Sequence, residues 1–221
     1  MLKPIYQSEN LQVFNKASGL TVLADRAGSH NLWETLKSAG SKPYLIHRLD
    51  KGTSGVLLVA RNQSTQSEIT RAFAARSVNK YYVAKVVGHF PTGNTFIIDL
   101  PLCKGRKSRF RVAAERASIF QTKNRYSVVA TRPGVPSLTR VRCLQTTAHH
   151  SVLLLKPITG RTHQLRVHLS WIGYPIVGDH LYGAPKDPAQ RGARLMLHCH
   201  RLVVPKYGSF SAAVPDFQTD D

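Results

Sequence analysis

The chain has 221 residues and 42% hydrophobic content, enough for a large core, and it carries 31 Lys and Arg against 12 Asp and Glu. A net charge of +19 exceeds what solubility requires and points to a polyanionic partner, nucleic acid first among them. No stretch approaches the ~20 apolar residues of a spanning helix, no secretory pattern opens the chain, and Cys103, Cys143 and Cys199 lack C-x-x-C spacing; these features argue against membrane, secreted, disulfide-framed and zinc-knuckle proteins and for a reducing cytoplasm.

Residues 11–23 read as a strand, a turn at Ser18-Gly19 and a second strand carrying Leu20 and Val22, a hairpin. A brief helix is predicted over 31–38. The next helix, over 62–76, has Ile69, Ala72 and Phe73 at helical spacing and Asn62 or Ser64 as cap, and packs on the apolar run Val56-Leu57-Leu58-Val59-Ala60 before it. Strands follow at 81–87 and 96–100, separated by Pro91-Thr92-Gly93-Asn94, and again at 126–131, 139–145 and 151–155. Residues 162–172 form the clearest second helix, with Leu165, Leu169 and Ile172 on one face and Gly173 as its stop. Several strands with two firm helices predict one α+β domain over 1–221, built on a central, mainly antiparallel mixed sheet flanked by a few helices and loops.

Two peptides carry the chemistry. In His47-Arg48-Leu49-Asp50-Lys51-Gly52-Thr53-Ser54-Gly55 a carboxylate lies between an arginine and a lysine on a glycine-punctuated turn, a setting that suits a nucleophile better than a proton donor. Ser54 is a poor hydrolase nucleophile, because it precedes a strand where a strand-turn-helix elbow is required. The second peptide, Lys156-Pro157-Ile158-Thr159-Gly160-Arg161-Thr162-His163-Gln164-Leu165-Arg166-Val167-His168, is a donor-rich helix start on which Arg161 and Arg166 cannot both be core. No acid lies between Glu115 and Asp179, so an inward arginine there needs a distant carboxylate, and Asp50 is the expected partner of Arg166.

Between Lys104 and Arg142 there are eleven Lys or Arg and one acid, Glu115, densest at Lys104-Gly105-Arg106-Lys107-Ser108-Arg109-Phe110-Arg111. Such a run is commonly a solvated face, but so few acids make intramolecular pairing a poor account, and RNA or DNA phosphates are the better one. The histidine pairs His163/His168 and His198/His200 are spaced by five and two, which does not align side chains on a helix, and no metal site is expected.

Taken together, His47-Arg48-Leu49-Asp50 with Thr53-Ser54-Gly55, then Lys80-Tyr81-Tyr82, then Gly160 to His168, and Leu195-Met196-Leu197-His198 resemble, in order, the RluA-type RNA pseudouridine synthases. Asn15-Lys16-Ala17-Ser18-Gly19-Leu20 also resembles that family's usual turn, departing at Ala17, where proline is common. The resemblance implies a pseudouridine-synthase-like domain with an RNA-binding cleft across its sheet and no separate amino-terminal RNA-binding module. It implies that Asp50 is the nucleophile that detaches uracil from ribose so that the base rejoins through C5. Tyr82 would stack on the target base and take part in removing the C5 proton, Arg166 would pair with Asp50, Arg48 would help fill the gap left by the extruded base, and Leu197 would line an apolar wall. Lys104, Arg106, Lys107, Arg109, Arg111 and Arg161 are expected on the RNA backbone.

The expected protein is thus a monomeric, cytoplasmic isomerase of tRNA or large-subunit rRNA that needs no metal or cofactor. The chemistry is coherent: a buried uridine must be flipped out at a cost of a few kcal/mol and held against an aromatic face, and glycosidic cleavage calls for a fixed carboxylate with donors nearby. The alternatives are a non-catalytic RNA-binding or ribosome-assembly factor, which would tolerate loss of Asp50, and a base-excising glycosidase, which would release free uracil. A two-carboxylate glycosidase is disfavoured, since neither principal peptide offers a second acid.

Overall fold

The computed structural model describes residues 3–24, 28, 30–106, 109–183 and 194–217. In chain order the elements are β1 (Tyr6–Gln7), β2 (Leu11–Lys16), α1 (Leu32–Ser38), β3 (Tyr44–Leu45), β4 (Ser54–Ala60), α2 (Gln63–Ala74) and β5 (Asn79–Val87). They continue with β6 (Thr95–Asp99), β7 (Leu102–Lys104), β8 (Phe110–Val112), β9 (Phe120–Thr122), β10 (Arg125–Ser127), β11 (Leu138–Thr146), β12 (His150–Pro157), α3 (Gln164–Trp171), β13 (Leu197–Val204) and β14 (Gly208–Ser211). Strands dominate and helices are few, the α+β class that the sequence predicts.

The chain divides into two compact units, Met1–Lys80 with His198–Pro215, and Tyr81–Leu197 with Asp216–Asp221. In the first, β2 pairs antiparallel with β1 and with β4, β3 pairs antiparallel with β4, and β13 runs parallel to β4 and antiparallel to β14. Every residue of β4 is buried, which is why it reads as an unbroken apolar run rather than an alternating strand. Asn62 caps α2 by accepting the Thr65 N–H, and Asn31 caps α1 through Glu34 N–H, so both short helices begin where their Asx residues dictate.

In the second unit β12 pairs with β5 and β11, β11 with β6, and β10 with β9, all antiparallel, while β10 runs parallel to β6. Alternate residues of β12 point inward, Ser151, Leu153, Leu155 and Pro157 being buried. Leu153 and Leu155 join a core with Phe90, Phe96, Ile98, Val141, Leu165, Val167 and Leu169. The antiparallel pair β7 and β8 forms a separate two-stranded ribbon.

The hairpin expected over 11–23 does not form. Thr21 makes only an isolated parallel bridge to Asn31, and the turn at Ser18-Gly19 folds onto the loop at Lys51 instead, with Gly19 N–H donating to Lys51 O at 2.9 Å. The cause is Lys16, wholly buried, whose ammonium gathers the carbonyls of Ala17, Leu20 and Lys51 and bends the chain around itself. The strand expected over 126–131 is confined to Arg125–Ser127.

Candidate active site

Asp50 lies on a loop pinned at both ends within the first unit. On the amino side, His47 Nε2 accepts the Leu58 backbone N–H at 3.0 Å and its ring stacks on Phe73 of α2 at 4.9 Å. The histidine keeps some exposed surface, but burial of its ring, followed by the nearby Lys80 ammonium, lowers its pKa to about 4, so it is neutral and able to accept. On the carboxyl side, Lys16 Nζ donates to Lys51 O at 3.2 Å, Ser18 Oγ donates to Gly52 O at 2.7 Å, and Thr53 N–H closes the turn on Asp50 O at 3.0 Å. Burial brings the Lys16 pKa down to about 8, an effect the Asp50 carboxylate partly offsets.

Beyond the turn, Ser54 Oγ lies 2.9 Å from His198 Nδ1, and His198 Nε2 lies 3.3 Å from Ala212 O. A carbonyl can only accept, so the proton sits on Nε2 and the serine hydroxyl donates to Nδ1. Both side chains are buried, and Ser54 therefore ties the loop to β13 rather than attacking a substrate. Gly55 has φ +111, and an added Cβ would lie 2.2 Å from Cys199 O, so this backbone approach requires glycine. Arg48 is exposed and Asp50 half-buried.

In the second unit Tyr82 is half-buried on β5, opposite Leu155 in the ladder and packed against the core, while Leu197 is a buried member of that core. A buried polar chain holds α3. Leu138 N–H donates to Thr159 Oγ1 at 2.9 Å, and the threonine hydroxyl donates to Gln164 Oε1 at 2.7 Å, which also accepts the Arg161 N–H. Gln164 Nε2 donates to Thr139 Oγ1 at 3.0 Å, Thr139 donates to His168 Nδ1 at 3.0 Å, and His168 Nε2 donates to Leu100 O at 3.0 Å. Every donor in that series finds an acceptor, which requires a neutral His168; its burial lowers the pKa to about 4.

The helix so fixed carries Arg166, 7% exposed, whose Nε and Nη2 donate to Asp179 Oδ2 and Oδ1 at 2.8 Å each. Asp179 ends the acid-free stretch noted in the sequence, and it is the carboxylate that the sequence reading passed over. Its Oδ1 also accepts the Leu181 and Tyr182 N–H groups, so the buried pair is bidentate and further hydrogen-bonded. Lys16, Gln164, Thr139 and Tyr182 were likewise not singled out. For Lys16 a signal existed: it shares a strand face with Phe14, which is wholly buried.

Among the basic residues, Lys104, Arg106, Arg109 and Arg161 are exposed, whereas Lys107 lies outside the described residues. Arg111 differs from its neighbours: half-buried, it pairs with Glu115 at 3.3 Å and lies over the Trp171 ring at 5.5 Å. Arg132 shares the same glutamate, and Arg125 pairs with Asp99. Intramolecular pairing thus accounts for part of the run and leaves Lys104, Arg106 and Arg109 as exposed cations. Among the described residues no three His, Cys, Asp or Glu side chains gather as metal ligands, and no helix is long and apolar enough to cross a membrane.

A motif-bearing loop before a buried strand, an arginine helix and a mixed sheet define an RNA pseudouridylate synthase. The chain belongs to that family, whose pattern it matches over residues 10–171. It is 34% identical over 210 residues to the dual-specificity RNA pseudouridine synthase RluA of Escherichia coli, covering 93% of this chain and 88% of that protein. An uncharacterized RNA pseudouridine synthase of Zymomonas mobilis is 39% identical over 197 residues, covering 87% and 82%. The solved structure of human RNA pseudouridylate synthase domain containing 4 superposes with a TM-score of 0.78 at 28% identity, covering 97% of this chain and 89% of that one. The protein is therefore an isomerase that converts uridine to pseudouridine in RNA.

Proposed function

We propose that the chain acts on specific uridines of structured tRNA or large-subunit rRNA, in the cytoplasm and as a monomer, with Asp50 as the essential carboxylate and a flipped base as the reacting group. The observation that supports the assignment is the tethering of the Asp50 turn through Lys16, Ser18 and Thr53, which fixes the backbone from which the Asp50 carboxylate projects. In the reaction the N1–C1′ bond breaks, C5 bonds to C1′, the C5 proton leaves and N1 gains one, so no cofactor is called for. Asp50 meets the positive character at the sugar as nucleophile, and Arg166, pairing with it, supplies a cation in an orientation that Asp179 holds. Tyr82 offers the aromatic face and assists loss of the C5 proton, Leu197 lines the base, and Arg48, exposed beside Asp50, fills the vacated stack.

Purified protein should release tritium from RNA labelled at uridine C5, and Asp50→Asn should abolish release while RNA binding persists. Release by the Asn variant would sink the nucleophile assignment, and free uracil with an abasic product would favour a glycosidase. The exposed cations Lys104, Arg106 and Arg109, with Arg161, are assigned to backbone phosphates. Replacing Arg106 and Arg109 by Ala should weaken RNA binding and reduce the salt slope by about 1 to 2, and an unchanged slope would count against that role. Mapping pseudouridines in RNA from a deletion strain against its parent would identify the targets.

A further inference from the structure

Tyr182 bridges the basic ribbon to the arginine helix, beside the direct Arg111–Trp171 and Phe110–His163 contacts. Tyr182 Oη accepts the Phe110 backbone N–H at 2.9 Å and lies 2.8 Å from His163 Nδ1. Since the amide can only donate, the phenolic proton is available to the imidazole, and the hydroxyl bridges β8 to the residue that opens α3. The three rings pack edge to face, Phe110 on His163 at 6.0 Å and His163 on Tyr182 at 5.5 Å. His163 itself has φ 56, a left-handed conformation that a non-glycine residue keeps only when its surroundings over-determine it. On the other side, the Arg166 guanidinium lies over the Tyr182 ring at 5.1 Å. The tyrosine backbone is fixed as well: its N–H donates to Asp179 Oδ1 at 3.1 Å and its carbonyl accepts Ser170 Oγ–H at 2.6 Å.

We infer that Tyr182 is a positioning residue that couples the ribbon carrying Arg106 and Arg109 to Arg166, so that RNA held by the ribbon restrains the catalytic arginine. The ring and the Asp179 contact fix Arg166 from below, and the hydroxyl makes that arrangement depend on where β8 stands. Phe110 opens β8 immediately after Arg109, so a load on Arg109 reaches the tyrosine through the Phe110 amide. This rests on the reading of the ribbon as a phosphate grip and of Arg166 as part of the reaction.

Tyr182→Phe removes the hydroxyl and keeps the ring beneath Arg166, so the fold is retained, which thermal melting verifies. The test is a double-mutant cycle between Tyr182→Phe and the paired change Arg106→Ala with Arg109→Ala, reading RNA affinity and the single-turnover rate at saturating RNA separately. The paired change should weaken RNA binding in either background, and each alteration alone should lower the saturating rate on the order of tenfold. Combined, they should lower that rate no further than either alone, while binding remains as weak as in the paired variant. A purely structural tyrosine would shift melting without this non-additivity. Saturating rates that multiply, or that Tyr182→Phe leaves unchanged, overturn the coupling and leave the phosphate grip standing. Unchanged RNA affinity in the paired variant overturns the grip and the coupling with it.

Discussion

His168 makes the stability of the arginine helix depend on pH in a calculable way. Its side chain is fully buried and its pKa is lowered to about 4 from 6.5, because burial outweighs the opposing contributions of the Leu100 carbonyl and Asp99. The sign follows from proton uptake: below the ordinary pKa the unfolded imidazole is protonated and the folded one is not, so stability present at neutral pH is lost as pH falls toward 4. At about pH 4.5 protonation favours the unfolded side chain over the folded one, and after the small part already present at pH 7 is removed this group alone costs roughly 2 kcal/mol. Urea unfolding at the two pH values measures it, and in thermal melts the same loss is on the order of 4 to 8 °C. His47, lowered in the same direction, steepens the wild-type dependence, so the informative quantity is the difference from His168→Gln. That variant should be less stable at pH 7 yet lose roughly 2 kcal/mol less on acidification. Parallel losses in the two proteins would show that the buried imidazole is not what acid attacks.

Other consequences follow from the buried tethers. Lys16→Met leaves three carbonyls without their donor beside the Asp50 turn; it should cost about 3 kcal/mol or more in urea unfolding and lower the single-turnover rate, and a wild-type rate would separate the turn from catalysis. Asp179→Asn removes the charge facing buried Arg166 and should cost about 3 to 5 kcal/mol, with loss of tritium release; equal stability by calorimetry would refute the pairing as structural. Gly55→Ala puts a methyl group against the Cys199 backbone at a positive φ and should yield little folded protein, as circular dichroism after expression would reveal; a native-like melt would show that β4 and β13 can part there.

Much of the local structure is legible because it is encoded in contiguous peptides. Asn62 before a helical period, Gly173 after one and the apolar run 56–60 each dictate a local structure that tertiary context leaves intact. The failures have a common origin in side chains that satisfy backbone from afar. The strand expected at Leu20 and Val22 was lost to Lys16, since nothing in a local pattern says that a lysine on a strand will be swallowed and will demand three carbonyls. Asp179 escaped notice for a related reason. Its partner is thirteen residues away across the end of α3, and it lies at the boundary of the acid-free stretch rather than within it. The expected pairing of Arg166 with Asp50 came from that stretch and from family resemblance together, and only the Asp179 contact is visible in the second unit by itself.

The buried cations Lys16 and Arg166 also show why neither can be exchanged for the other. An ammonium presents three donors around a point and suits three carbonyls converging from a turn, as Ala17, Leu20 and Lys51 do around Lys16. A guanidinium presents a planar fork and suits a carboxylate, as Asp179 does for Arg166. The first arrangement fixes the loop that carries Asp50, and it does so with carbonyl acceptors and no second acid. The second fixes the direction of a guanidinium through two parallel hydrogen bonds. For Lys16 and Arg166 alike, the residue type follows from the geometry of the acceptors that surround it.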